Sequence, residues 1–94
     1  MADTESNSQI TDPLTGDGPS RSVRGKLVDV SVTGSFDATW TIQRMVNKDG
    51  IWGDIVSYTT SEERVIENAS TCAVRVNVSN YVSGTLTIKL AGDR

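Results

Sequence analysis

Ninety-four residues make one domain, and a formal charge of −3 with no basic stripe offers nothing to neutralise nucleic-acid phosphates. There is one cysteine, Cys72, and no histidine, which excludes an intrachain disulfide and removes the commonest transition-metal ligand. The N-terminal Met1-Ala2-Asp3-Thr4-Glu5-Ser6-Asn7 has no basic region followed by an apolar run, and no stretch approaches bilayer-spanning length, so the expectation is a protein made in a cytoplasm, with no membrane or nucleic-acid partner.

Residues 1–24 differ in kind from the rest. Both prolines, Pro13 and Pro19, fall there with Gly16, Gly18 and several Ser, Thr and Asp, and the apolar Ile10 and Leu14 are scattered. By composition this is an extended N-terminal arm, with residues 25–94 as the folded domain. About seventy residues bury a core that is marginal on its own. With disulfides and the usual metal ligand removed, association with copies of the chain or with a larger surface is the expected support.

From Gly25 onward the apolar period is two and β-branched residues dominate, the pattern of half-buried strands. The first strand covers 26–32, with Val28, Val30 and Val32 on one face. Thr33-Gly34-Ser35 turns the chain, and a second strand over 38–46 alternates Trp40, Ile42 and Arg44 against Thr39, Thr41 and Gln43. Asn47-Lys48-Asp49-Gly50 is a hairpin turn in which Gly50 supplies positive φ. In the third strand, 51–58, Trp52, Asp54, Val56 and Tyr58 share one side. Thr59-Thr60-Ser61 breaks the run, and a short strand over 62–67 ends at Asn68-Ala69-Ser70. Cys72, Val74, Val76 and Val78 then alternate with Ala73, Arg75 and Asn77, a linker over 79–84 follows, and Leu86, Ile88 and Leu90 mark the last strand.

Six strands, or seven if part of 8–24 pairs with an edge, predict an all-β fold: a small antiparallel immunoglobulin-like or fibronectin-like β-sandwich, with Trp40 as its buried central tryptophan. A small closed barrel is the alternative.

The residue types for catalysis are sparse. Without histidine the usual base for a nucleophile is missing, and Cys72, in register with Val74 and Val76, reads as core. The carboxylates Asp49, Asp54, Glu62, Glu63 and Glu67 lie at turns or on polar faces, where they read as solvated surface. Asp12, Asp17-Gly18 and Asp49-Gly50 lack the dense alternate spacing of a calcium loop. Neither catalytic, metal nor cofactor residues are expected, and no cofactor. The aromatics leave one option open: Trp52, Tyr58 and Tyr81 could form a platform for a sugar ring, Trp52 being the most exposed of them.

The pattern Gly34-Ser35-Phe36, Trp40-Thr41-Ile42-Gln43-Arg44, Asp49-Gly50-Ile51-Trp52, Ser57-Tyr58-Thr59, Arg75-Val76 and Tyr81-Val82-Ser83-Gly84-Thr85-Leu86-Thr87-Ile88 resembles the small Ig-like accessory structural proteins of tailed bacteriophage virions, head decoration (cement) proteins among them. The likeness covers about residues 33–90 and is one of strand rhythm and turn placement. The leader is similar to arms by which several such proteins attach to a capsid lattice. What the resemblance implies is a non-enzymatic capsid decoration protein, made in the host cytoplasm and carried on the virion surface. Its partners would be the major capsid protein and its own copies, as a homo-oligomer for which a trimer is one candidate. It assigns no individual site residue.

Residues 1–24, above all Ile10, Pro13 and Leu14, and Trp52, Tyr58 and Tyr81 are the expected partner contacts. A carbohydrate-binding or adhesion module using those three aromatics is the reading from a different class. A neck or tail component of the virion is the third, and an enzyme ranks last.

Overall fold

The computed structural model describes residues 9–45 and 50–92. Residues 1–8 of the arm, Val46 at the end of the expected second strand, and Asn47, Lys48 and Asp49 of the hairpin turn lie outside them.

Seven strands form among the described residues: β1 (Gln9–Leu14), β2 (Gly18–Pro19), β3 (Val23–Thr33), β4 (Phe36–Met45), β5 (Gly53–Tyr58), β6 (Glu62–Gly84) and β7 (Leu86–Gly92). They join one antiparallel sheet in the order β1-β7-β3-β6-β4-β5, with β2 also on β6. The all-β, sandwich-like class expected from the sequence is therefore the one observed. The linear order leaves β1 and β5 as its two ends, so the sheet is not the closed barrel held as an alternative.

The long strand β6 lets a single sheet enclose a core. Along one edge its residues 62–67 and 72–74 pair with β3, and residues 77 and 78 pair with β2. The backbone N–H of Ser20 donates to the Val76 carbonyl between those two stretches. Along its other edge, from Ala73 to Gly84, β6 pairs with β4. Its first part thus belongs to a half made with β3, β7 and β1, and its second to a half made with β4, β5 and β2.

The inner faces of both halves share one core. Ile10, Val28, Val30, Val32, Ile66, Leu86, Ile88 and Leu90 come from the first half; Ala38, Trp40, Ile42, Val74, Val76 and Val78 come from the second, and Val23, at the start of β3 opposite Val74, joins them. Alternation fixes these choices, because a side chain every second residue points the same way. Trp40 is fully buried, and its indole N–H donates to the Thr60 carbonyl at 2.9 Å, so burying the ring leaves no orphan donor.

Two breaks expected from the sequence are bulges inside β6. At Asn68-Ala69-Ser70 the strand was expected to end. Instead residues 68–71 loop out opposite the single residue Lys26 and pairing resumes at Cys72. The stretch over 79–84 stays in β6 as well, its residues 80–82 standing against Ala38 alone, with Asn80 at φ 51°, a left-handed value that asparagine tolerates.

Asn68 holds the first bulge. It is buried, its Oδ1 accepts from Arg44 Nη1 at 2.7 Å and its Nδ2 donates to the Gly25 carbonyl at 3.0 Å. One amide thereby ties β6 to β3 and β4, accepting on one side while donating on the other, which an ionised carboxylate or an apolar side chain cannot do.

Within the expected arm, residues 9–14, 18–19 and 23–24 lie in strands of the sheet. The seventh strand allowed for by the sequence is β1, paired residue for residue with β7 from Gln9 opposite Ala91 to Leu14 opposite Leu86. Strand β3 runs through the expected boundary at Arg24 and Gly25.

Replacing Asn68 by Ala or Asp should lower stability by about 1–3 kcal/mol, since each leaves the Gly25 carbonyl or the Arg44 guanidinium without its partner. A urea unfolding midpoint unchanged in both variants would show that the amide is not a tie. Gly84→Ala should destabilise at least as much. Gly84 has φ 94° and an added Cβ would meet the Ser35 carbonyl oxygen, so both conformation and space oppose it.

Candidate functional site

The outer face of the β6-β4-β5 half carries the most organised polar surface. Arg75 lies between the buried Val74 and Val76, so its side chain leaves the sheet on the outer side. There its guanidinium lies over the Trp52 ring, 4.2 Å from the centroid, and its Nε donates to Gln43 Oε1 at 2.8 Å. Gln43 Nε2 in turn donates to Asp54 Oδ1 at 2.8 Å. Register places the three polar residues in one row across the sheet, Arg75 opposite Gln43 and Gln43 opposite Asp54. Burial pulls the Arg75 pKa below the usual arginine range, which still leaves the group cationic at neutral pH.

The next row holds Asn77 opposite Thr41 and Thr41 opposite Ser57, with the two hydroxyl oxygens 2.7 Å apart. The Asn77 side chain makes no hydrogen bond to another described residue.

The three aromatics expected to form one platform do not share a face. Trp52 and Tyr58 have the same parity in sequence, but a bulge at Ile55 intervenes. Val56 pairs with Ile42, whereas Asp54 pairs with Gln43, and the extra residue turns Trp52 outward and Tyr58 inward. Tyr58 packs on the buried Trp40 with ring centroids 4.8 Å apart and is covered by Arg64, whose Nε donates to the tyrosine hydroxyl at 2.7 Å. Tyr81 packs against the core, and its hydroxyl donates to the Gly84 carbonyl at 2.6 Å. Only Trp52 stands on the outer polar face. The Arg75 contact was missed in the sequence because it depends on the Ile55 bulge.

The arm residues are divided in the same way. Ile10 is buried and Leu14 packs against the core, so both are used by the chain's own body, while Pro13 is exposed opposite Thr87. Between them Asp12 receives the Arg21 backbone N–H on Oδ2 at 2.8 Å and Arg21 Nε on Oδ1 at 3.0 Å. Arg21 Nη2 reaches the same Oδ1 at 2.9 Å and the Thr11 carbonyl at 3.2 Å. These bonds clamp β1 to the segment that leads into β3.

Large apolar side chains also face solvent: Ile51 and Val82 are each 69% exposed and Val65 is 63% exposed. A shallow depression of about 530 Å³ lies over β3 and β6, lined in part by Asp29, Ser31, Glu63 and Val65. Cys72 is buried, its thiol directed at the Ser70 carbonyl. Among the described residues, no group of three or more His, Cys, Asp or Glu side chains is placed to hold a metal ion, and no helix is long and apolar enough to cross a membrane.

No family model matches this chain, and no curated protein or solved structure matches it either.

The Asp12 clamp predicts a pH dependence. Partial burial raises the Asp12 pKa, but the side-chain and backbone hydrogen bonds from Arg21 and its charge outweigh this and leave it below the usual carboxylate value. A depressed folded-state pKa means that the clamp stabilises fully above the unfolded value of about 3.9 and is lost as pH falls through the folded value. Because Arg21 is 66% exposed, the contribution is expected below about 1 kcal/mol. Asp12→Asn should remove that acid-side slope and speed amide exchange in β1 at pH 7. Exchange in β1 identical to that of the unmodified chain would show that the clamp does not hold the strand.

Proposed function

We propose that this chain is a non-enzymatic structural protein of a bacteriophage virion, a decoration protein that binds the outer surface of the head and stabilises it. Its partners are the major capsid protein and further copies of the chain. The observation that carries the reading is the set of large apolar side chains left outside the core, Ile51, Val65 and Val82, on a body whose sheet ends in two strands paired on one side only. Exposed apolar side chains and sheet ends both favour association. The likeness to phage accessory proteins supplies the kind of surface. A small domain gains stability from such contacts, and repetition over a lattice converts weak individual contacts into firm attachment.

This reading uses fewer of the leader residues than the sequence suggests. Ile10 and Leu14 are committed to the core, so attachment through the leader falls to residues 1–8 and to Pro13. Attachment through the body falls to the β5 end and the exposed apolar residues.

Heads of the encoding phage, stripped of accessory proteins, provide the test. The full chain should co-sediment with them saturably and raise their melting temperature. Ile51→Lys and Val65→Lys, both at exposed positions, should weaken binding several-fold where those side chains are contacts, a loss of roughly 1 kcal/mol each. A chain lacking residues 1–8 separates leader from body while keeping β1 intact. Absence of co-sedimentation by the full chain at micromolar concentration would overturn the proposal.

A further inference from the structure

Arg75 is oriented more firmly than a surface arginine needs to be. Its guanidinium carbon lies 4.2 Å from the centroid of the Trp52 ring and its Nε is taken by Gln43, itself held by Asp54. The two terminal nitrogens, carrying four N–H donors, have no carboxylate or carbonyl partner among the described residues. They are not sealed in: no buried side-chain nitrogen or oxygen among the described residues lacks a partner, so nitrogens without one are open to solvent. A guanidinium lying over an indole and bound through Nε, with its two terminal nitrogens unpartnered among the described residues, is preorganised for a planar anion accepting two parallel hydrogen bonds.

Two residues along the same strand and on the same face, Asn77 presents an amide with a donor and an acceptor and no hydrogen bond to another described side chain. The two Cα positions are about 7 Å apart along β6. A carboxylate-accepting fork beside an amide that both donates and accepts suits a ligand bearing one carboxylate next to hydroxyl groups. We propose that this outer face of β6 binds an acidic saccharide, its carboxylate on Arg75 and a neighbouring ring hydroxyl on Asn77.

Three features favour this ligand class over others. A single cation with no second basic residue in its row matches a monoanionic carboxylate better than a phosphate chain, and the chain's charge of −3 opposes a polyphosphate backbone. The site lies on the flat of the sheet, on a strand paired along both edges there, so a peptide cannot add as a strand. In the neighbouring row Thr41 is buried and its hydroxyl is paired with that of the exposed Ser57, which leaves the Ser57 hydroxyl and the Asn77 amide as the groups that can exchange hydrogen bonds with sugar hydroxyls. This inference does not rest on the virion reading.

The test uses the full chain labelled with ¹⁵N and titrated separately with trigalacturonate, a hyaluronan tetrasaccharide and sialyllactose. Neutral lactose and acetate at the same ionic strength are the comparisons. At least one acidic saccharide should shift the Arg75 Nε–H, Asn77 amide and Trp52 indole signals saturably, with a dissociation constant of about 1 mM. Arg75→Gln should weaken binding roughly tenfold or more and Arg75→Lys by less, while Asn77→Ala should weaken it several-fold and leave the Arg75 shift in place. Circular dichroism of each variant checks that the sheet persists. The proposal is overturned if no acidic saccharide shifts these signals at about 10 mM, if lactose or acetate binds as well as the acidic saccharide, or if both Arg75 variants bind like the unmodified chain. Head co-sedimentation in the absence of sugar is scored separately, so failure of one reading is distinguishable from failure of the other.

Discussion

The structure depends on β6 remaining one strand while serving two halves of the sheet. Twenty-three residues, Glu62–Gly84, are too many for a flat strand in a body this small, so the strand must bend. It bends where four residues, 68–71, stand opposite one. A bulge of that size exposes backbone groups and would be a weak point. Asn68 answers it by bonding outward to β3 and β4, so the place where the strand departs from regularity is also where three strands are tied together. The two inner faces can then close on one core without a disulfide or a metal.

The apolar stripes were legible in the sequence because they obey strict alternation. Val28, Val30 and Val32, then Val74, Val76 and Val78, then Leu86, Ile88 and Leu90 are all buried, and Trp40 and Ile42 with them. What the sequence concealed lies at irregular pairings. A bulge shifts parity by one residue, and its cause is the partner strand, not the local residues. Ile55 shows the consequence: Trp52 and Tyr58 alternate correctly on paper and end on opposite faces. Asn68-Ala69-Ser70 carries turn-like residues for a real reason, since the chain does leave the ladder there, but pairing on its far side belongs to the same strand. The outer row of Arg75, Gln43 and Asp54 joins three strands and depends on register, which composition does not encode.

The leader carries strand β1 although its composition is that of a linker, because an edge strand needs few apolar residues. In β1 the even-numbered side faces the core, which gives Ile10, Asp12 and Leu14. Only the outer two are apolar, and the central carboxylate is tolerated because Arg21 meets it. A strand with one charged residue in its inward row and a proline on the other side carries the composition of a linker. Pro13 is compatible with it because an edge strand has one side on which no N–H is required.

The two ends of the sheet are not equivalent, and this bears on how the chain meets other molecules. On β1, Pro13 removes a donor and Asp12 places a charge in the middle of the strand, both of which oppose addition of another strand. On β5 there is no proline or lysine, and the carboxylate of Asp54 is turned across the sheet to Gln43, away from the open edge. The bulge at Ile55 is the remaining guard, and it interrupts the ladder at one residue only. Ile51, just ahead of this strand, is also among the most exposed apolar residues. Extension of the sheet by a neighbour is therefore opposed at one end and weakly guarded at the other.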